Sequence, residues 1–379
     1  VEPAALESMK LLTCKSGEEI KKQIFILEKR SKEEIGLRFE LTASMARMFV
    51  KKQKCVQKPV KWFALSRMWR YEQPQAGRLR EFYQFSAELF GSSKPQADAE
   101  VISFLIKCLT DLGLTEKDFV VRLNNRKLIH GMLLDFIQKE KIEAVFSEID
   151  KFSKLSKGEI EGNLRDLGVD DDQIESVFDI ILTEDIGHID PKNNLAAEGL
   201  NELALILNNV DSKFVELDLT TVRGLAYYTG TVFEIFDRGG KLRSIAGGGR
   251  YDNMIKIFGG EPSPAIGFGI GLATLNLLLQ EKGILPKPDT GCDYFIAPVS
   301  IDVVDDAAKI AAKLRTTFRV EMDLMGRKLG KQLAYADSIG AKNALIIGED
   351  ELKSGKLKVR NLSSGEEKKC TVDELLDKA

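Results

Sequence analysis

The segment from Glu81 to Phe90, EFYQFSAELF, constrains this chain more than any other. Its aromatic content and two-residue alternation predict a strand, and the alternation puts Phe82, Gln84, Ser86 and Glu88 on one face. One ring and three polar groups make a poor core face, because a polar group buried without a partner costs free energy. A bound polar ligand would satisfy it. Trp62 to Arg70 also reads as a strand, so the polar link between Tyr71 and Glu81, with Pro74 and Gly77, reads as the long loop of a hairpin. Arg70 closes the first strand and Arg78 and Arg80 lie in the loop, so guanidinium groups converge on an aromatic ring and a carboxylate. That set suits a nucleoside triphosphate, with cations for the phosphates and a ring for the base. The plainer alternative is a salt-bridged surface hairpin.

The 379 residues are enough for two or three domains, each with its own core. Apolar residues make up 44% and charged residues 30%, and 55 basic against 58 acidic side chains leave a formal charge of -3, the balance of a soluble globular protein. Any nucleic-acid surface must therefore be a local patch, and the Lys- and Arg-rich stretch from Lys51 to Arg80, with Glu72 as its one acid, is such a patch. The five cysteines are odd in number, scattered and never in a CxxC pair, which argues against a disulfide framework or a zinc site and for a reducing cytoplasm. The two histidines, His130 and His188, lack partners at metal-ligand spacing and read as helix-surface or helix-end residues, which disfavours Ser-His-Asp catalysis. No apolar run approaches the ~20 residues of a membrane span. The chain opens at Val1, in what reads as mid-sequence, so a missing N-terminal segment is expected.

Residues 141 to 190 are strongly acidic and read as a small helical module. Ser156 is a plausible N-cap for a helix closed by Gly168, and Asp170 for a helix carrying Ile174, Val177, Phe178 and Ile181 at helical spacing. The module falls between strand-like Phe119 to Leu123 and Phe214 to Leu219, the arrangement of an insertion into a sheet domain. Gly283 to Gly291, with Pro286 and Pro288, marks a second boundary. Beyond it strands at Tyr294 to Ala297, Arg319 to Met322 and Ala344 to Ile347 alternate with helices near Val304 to Arg315 and Leu329 to Ile339, which predicts a compact α/β domain.

Three further segments carry chemistry. In Pro264 to Gly271 the glycines Gly267, Gly269 and Gly271 fall on one strand face, which something must approach closely. Gly247 to Gly249, beside Arg250 and Tyr251, reads as a ligand-hugging or flexible turn. Arg223 to Gly230 is polar and aromatic, and Tyr227 and Tyr228 offer hydroxyls to a polar ligand. Glu40 and Thr42 precede a helix from Ala43 to Val50, where Thr42 is either its N-cap or a ligand contact. No GxxxxGK[ST] or GxGxxG sequence occurs.

Arg70-Tyr-Glu72, Pro74-Gln-Ala-Gly77-Arg78-Leu-Arg80-Glu-Phe82-Tyr-Gln84 and Glu88 together closely resemble motif 2 of class II aminoacyl-tRNA synthetases in its histidyl form. Arg223 to Gly230 resembles the histidine-specific RGLDYYTG motif, and Gly248-Gly-Arg-Tyr-Asp252 its GGRYD companion. The resemblance covers essentially the whole chain, and Val1-Glu-Pro3 looks like the tail of motif 1. It implies an α+β fold with a class II antiparallel sheet and flanking helices. Residues 1–123 and 206–285 would form a split catalytic domain, 124–205 a helical insertion domain and 290–379 an anticodon-binding α/β domain.

The resemblance further implies that histidine attacks the α-phosphate of ATP to form an adenylate, and that the acyl group then passes to the 3′ end of the histidine tRNA in a cytoplasmic homodimer, with Mg²⁺ on the phosphates. Arg70 and Arg223 would be catalytic, Arg70 holding the α-phosphate and substrate carboxylate and Arg223 stabilising charge as the adenylate forms. Glu40, Thr42 and Gln84 would take the substrate ammonium and carboxylate. Glu88 with Tyr228 would grip the imidazole, and Tyr227 would line its pocket. Glu72 and Phe82 would hold adenine, Arg78 the outer phosphates, and Gly269 and Gly271 would line the nucleotide site.

Two positions depart from the pattern. Thr274 stands where motif 3 has an Arg for the γ-phosphate, and Ala226 stands where the histidine motif has Asp. Losing one phosphate-facing guanidinium would cost about 1.5 to 3 kcal/mol of ATP binding, so either a neighbour such as Arg250 or Arg78 compensates or activity is impaired. A catalytically silent, histidine-binding paralogue, such as the regulatory subunit of ATP phosphoribosyltransferase, is the alternative of a different class. An accessory aminoacyl ligase with a relaxed acceptor is a third.

Overall fold

The computed structural model describes residues 1–379 apart from 15–18, 29–31, 153–154, 223–226, 287, 289 and 378–379. It divides into two compact units, Val1–Leu285 and Pro286–Ala379.

The first unit is built on a seven-stranded sheet. In chain order its strands are β1 (Val60–Trp69), β2 (Glu81–Phe90), β3 (Phe119–Asn125), β4 (Val215–Leu217), β5 (Thr231–Asp237), β6 (Ala246–Arg250) and β7 (Ala265–Gly271). In space they run β1-β2-β7-β6-β5-β3-β4, antiparallel except for the β3–β4 pair. The hairpin and the glycine strand expected from the sequence are both present. The two faces have separate cores. Phe268, Ile270, Phe233 and Leu89 join the main hydrophobic cluster on one face. On the other, Leu41 and, from helix α1 (Thr42–Lys52), Met45 and Phe49 meet Ala64, Met68, Phe90 and Tyr251.

Gly247 to Gly249 form part of β6, not a turn. A Cβ on Gly248 would lie 2.2 Å from the Gly267 carbonyl oxygen and 2.7 Å from the Phe233 ring, and one on Gly249 2.6 Å from the Thr231 carbonyl oxygen. Tight packing around a central strand therefore demands Gly248 and Gly249, where the sequence had suggested flexibility or ligand contact, while Gly247 does line the cleft.

Between β3 and β4 the chain is helical. The segments are α2 (Arg126–Leu134), α3 (Ile142–Ile149), α4 (Lys157–Asp166), α5 (Asp171–Ile181) and α6 (Asn194–Leu207). Ser156 and Asp170 cap α4 and α5 with full capping boxes, as their spacing predicted. Helices α2 and α6 approach backbone to backbone, since a Cβ on Gly131 would lie 2.4 Å from the Ala196 nitrogen and one on Gly199 2.3 Å from that of Leu128. Asn125 at the end of β3 donates to Glu202 of α6 at 2.8 Å and so ties this pair to the sheet. We propose residues 124–205 as the helical insertion of the catalytic domain.

The second unit has a five-stranded sheet of β8 (Tyr294–Pro298), β9 (Val320–Met322), β10 (Asn343–Ile347), β11 (Leu357–Asn361) and β12 (Glu367–Cys370) in the order β9-β8-β10-β11-β12. The first three are parallel, and the last two add antiparallel strands that the sequence did not reveal. Their short length and charged residues conceal them: only Leu357, Val359 and Cys370 of the two are buried. Among the described residues no helix is long and apolar enough to cross a membrane.

Candidate active site

Cross-strand register builds the site floor. Glu88 of β2 faces Gly267 of β7, Gly249 of β6 faces Gly267 from the other side, and Gly247 pairs with both Gly269 and Glu234 of β5. Directly paired residues share a face, so two glycine columns leave bare backbone between the side chains of β2 and Glu234. The space is real: a Cβ on Gly267 would fall 1.6 Å from Glu88 Oε2, and one on Gly269 2.6 Å from Gln84 Nε2. Above this floor opens a cleft of about 510 Å³, within the size range of small-molecule sites.

Glu40, Thr42, Arg70, Glu72, Arg78, Phe82, Gln84, Tyr227, Tyr228, Gly269 and Gly271 all line the cleft. The structure thus gathers the expected residues from four separate stretches of chain. Two expected residues stand apart. Arg223 lies outside the described residues. Glu88 is 2% exposed and sits one layer behind the wall. Its Oε1 accepts from Thr42 Oγ1 at 2.8 Å and its Oε2 from the Tyr251 hydroxyl, and both of those donors line the cleft. Each hydroxyl spends its proton on Glu88, so its lone pairs are left for a donor in the cleft. Burial, and next the Glu88 charge, push the Tyr251 phenol well above its ordinary pKa, so it remains a donor at neutral pH.

Thr42 is therefore not the N-cap of α1. The Glu40 carboxylate takes the Thr42 and Ala43 backbone N–H groups at 3.1 and 3.0 Å, an anion at a positive helix end. That frees the Thr42 hydroxyl for Glu88. Tyr251 is a cleft residue that the sequence does not single out as a site residue, since its contact with Glu88 spans 163 residues.

The opposite end of the cleft centres on Arg70 and Phe82. Arg70 Nε donates to the Phe39 carbonyl at 3.0 Å, and its guanidinium stacks 5.1 Å from the Phe82 ring centroid. Arg78 pairs with Glu72 at 2.7 Å. The tight turn from Gln75 to Arg78 relies on Gly77, whose φ of 72° suits glycine. Thr274 Oγ1 donates to the Gly77 carbonyl at 3.3 Å.

Arg250 cannot be the compensating cation considered above. It is 3% exposed, pairs through two nitrogens with buried Asp98, and also binds Asp252 at 3.1 Å and the Ser92 carbonyl at 2.9 Å. It is not part of the cleft lining. Neither histidine belongs to the site. His130 lies half-buried beside Phe146, with desolvation lowering its pKa, and His188 is exposed near Asp185.

An antiparallel sheet with one face stripped by glycine, a long-looped Arg- and Glu-bearing hairpin, and a cleft between them define the catalytic core of class II aminoacyl-tRNA synthetases. Within that class the chain belongs to the histidyl-tRNA synthetase family, whose model, "Histidyl-tRNA synthetase", matches residues 1–275; an "Anticodon binding domain" model matches residues 293–379. Histidine--tRNA ligase of Haloquadratum walsbyi is 39% identical over 97% of this chain and 87% of its own. That of Pyrococcus horikoshii is 37% identical over 98% and 89%. The crystal structure of histidyl-tRNA synthetase from Nostoc sp. PCC 7120 superposes with a TM-score of 0.82 at 26% identity, covering 100% of this chain and 91% of that one.

Proposed function

We propose that this protein activates histidine with ATP and transfers it to the 3′ end of the histidine tRNA. The observation that carries this reading is one cleft holding the Arg70–Phe82 stack at one end and the hydroxyls backed by Glu88 at the other.

Chemistry in this cleft is positioning and electrostatics. Among the described residues its lining contains no Cys or His, and none is needed, because the substrate carboxylate is itself the nucleophile. A carboxylate oxygen bonds to the α-phosphorus while the bond to the β-phosphate oxygen breaks and pyrophosphate leaves with the electron pair. In the second step the terminal ribose hydroxyl of tRNA attacks the acyl carbon, the bond from that carbon to the phosphate oxygen breaks, and AMP departs with the electron pair while the hydroxyl proton passes to its phosphate. Arg70, fixed by the Phe39 carbonyl and the Phe82 ring, offers a preorganised cation to the α-phosphate and the attacking carboxylate. Arg223 adds a second cation by the family pattern. Phe82 and Glu72 hold adenine, and Arg78 reaches the outer phosphates.

At the other end, the imidazole N–H donates to the lone pairs that Glu88 leaves outward on Thr42 and Tyr251, and Tyr227 and Tyr228 close the pocket with hydroxyls 3.2 Å apart. Glu40 and Gln84 hold the substrate's ammonium and carboxylate. A Mg²⁺ arriving on the triphosphate needs only one or two protein carboxylates, and Glu234 in the lining suits that role; bound there it would screen phosphate charge. We further place the protein in the cytoplasm as a homodimer, with residues 290–379 reading the tRNA.

The test is charging. Given ATP and tRNA from one of the relatives, the full chain should attach labelled histidine as an alkali-labile ester to histidine tRNA and to no other. Histidine binding without any charging would instead support the regulatory reading, which the Thr274 departure favours.

A further inference from the structure

We propose that Arg243 supplies the outer-phosphate cation that position 274 lacks. The inference rests on the reading of the cleft as an ATP site and assigns one more residue to it.

Arg243 lies in the link between β5 and β6 and lines the cleft at its exposed rim. Its Nη2 donates to Gln75 Oε1 at 2.9 Å. Gln75 opens the same Gln75–Arg78 turn whose Gly77 carbonyl accepts from Thr274 at 3.3 Å. Arg243 and Thr274 thus meet one four-residue turn, Arg243 from β6's side and Thr274 from the helix that follows β7. A guanidinium at 243 therefore stands beside the place a guanidinium at 274 would occupy.

Charge points the same way. Arg78 already shares its guanidinium with Glu72 at 2.7 Å. Among the described residues Arg243 enters no ion pair, and its partner Gln75 is neutral. A triphosphate brings several negative charges, so the rim cation without a carboxylate is the one best placed to meet them.

The link is also built to hold its position. The Asp237 carboxylate, 5% exposed, accepts from the Lys241 and Leu242 backbone N–H groups at 3.0 and 2.8 Å. Ser244 Oγ donates to the Ala246 carbonyl at 3.0 Å. The base of Arg243 is fixed while its head reaches the rim.

Binding of ATP and of AMP to the full chain, measured by equilibrium dialysis without histidine, tests the proposal. Arg243→Gln should weaken ATP about tenfold or more and change AMP less than twofold, at unaltered melting temperature. Equal loss of both nucleotides, or no loss of ATP, would overturn it. Arg243→Gln/Thr274→Arg should regain most of the ATP affinity, and no regain would overturn the claim that the two positions serve one phosphate site. Histidine-dependent exchange by the unaltered chain is a separate measurement: its failure counts against the proposed reaction, while the ATP-to-AMP contrast still decides Arg243.

Discussion

Arg70→Gln is expected to lower the kcat of histidine-dependent ATP–pyrophosphate exchange by roughly 10²- to 10³-fold, the scale of removing one preorganised electrostatic contact. Arg70 is half-buried, with Nε on the Phe39 carbonyl and its plane against Phe82. Gln keeps polarity but loses both the charge and the fork that can bridge the α-phosphate and the attacking carboxylate. Charge builds on those atoms as the adenylate forms, so the loss should fall mainly on kcat. ATP KM should move severalfold at most, and the melting temperature little. A rise in ATP KM with kcat preserved would show that Arg70 binds the ground state only.

Glu88→Gln is expected to raise the histidine KM about 10²-fold while leaving the ATP KM within a fewfold. The substitution preserves volume beside Gly267, where a Cβ would already fall 1.6 Å from Glu88 Oε2. It removes a charge that accepts from Thr42 and Tyr251 together. An amide must present N–H to one of those hydroxyls, which then turns and no longer offers its lone pair to the ring. A site built on such polar pairs loses about 1.5 to 3 kcal/mol when a charged acceptor is neutralised. Should both KM values rise equally, Glu88 would be a structural carboxylate under the sheet rather than a determinant of histidine recognition.

Much of this architecture was legible because strand alternation is a direct physical code. The face carrying Phe82, Gln84 and Glu88 could be read from its poor fit to a core, and the glycines of β7 from their two-residue spacing. What escaped lacked a local pattern. Gly247 to Gly249 pass for a turn because glycine carries no strand preference, and only the packing of Phe233, Thr231 and Gly267 shows why side chains are excluded at Gly248 and Gly249. Thr42 looks like a helix cap, and the backbone shows Glu40 doing that work two residues earlier. Arg250 belonged to a recognisable motif and looked available to a ligand, but the buried Asp98 claims it from a distant helix. Arg243 stands in an ordinary polar link and acquires meaning only from the tertiary approach to Gln75.

The central claim, that one cleft joins histidine to ATP, is tested most directly by ATP–pyrophosphate exchange with each of the twenty amino acids in turn. Histidine should support exchange at a kcat/KM about 10⁴-fold or more above any other, because the groups around Glu88 are left unpaired by a side chain that lacks ring N–H donors. Exchange supported best by another amino acid, or by none, would contradict it.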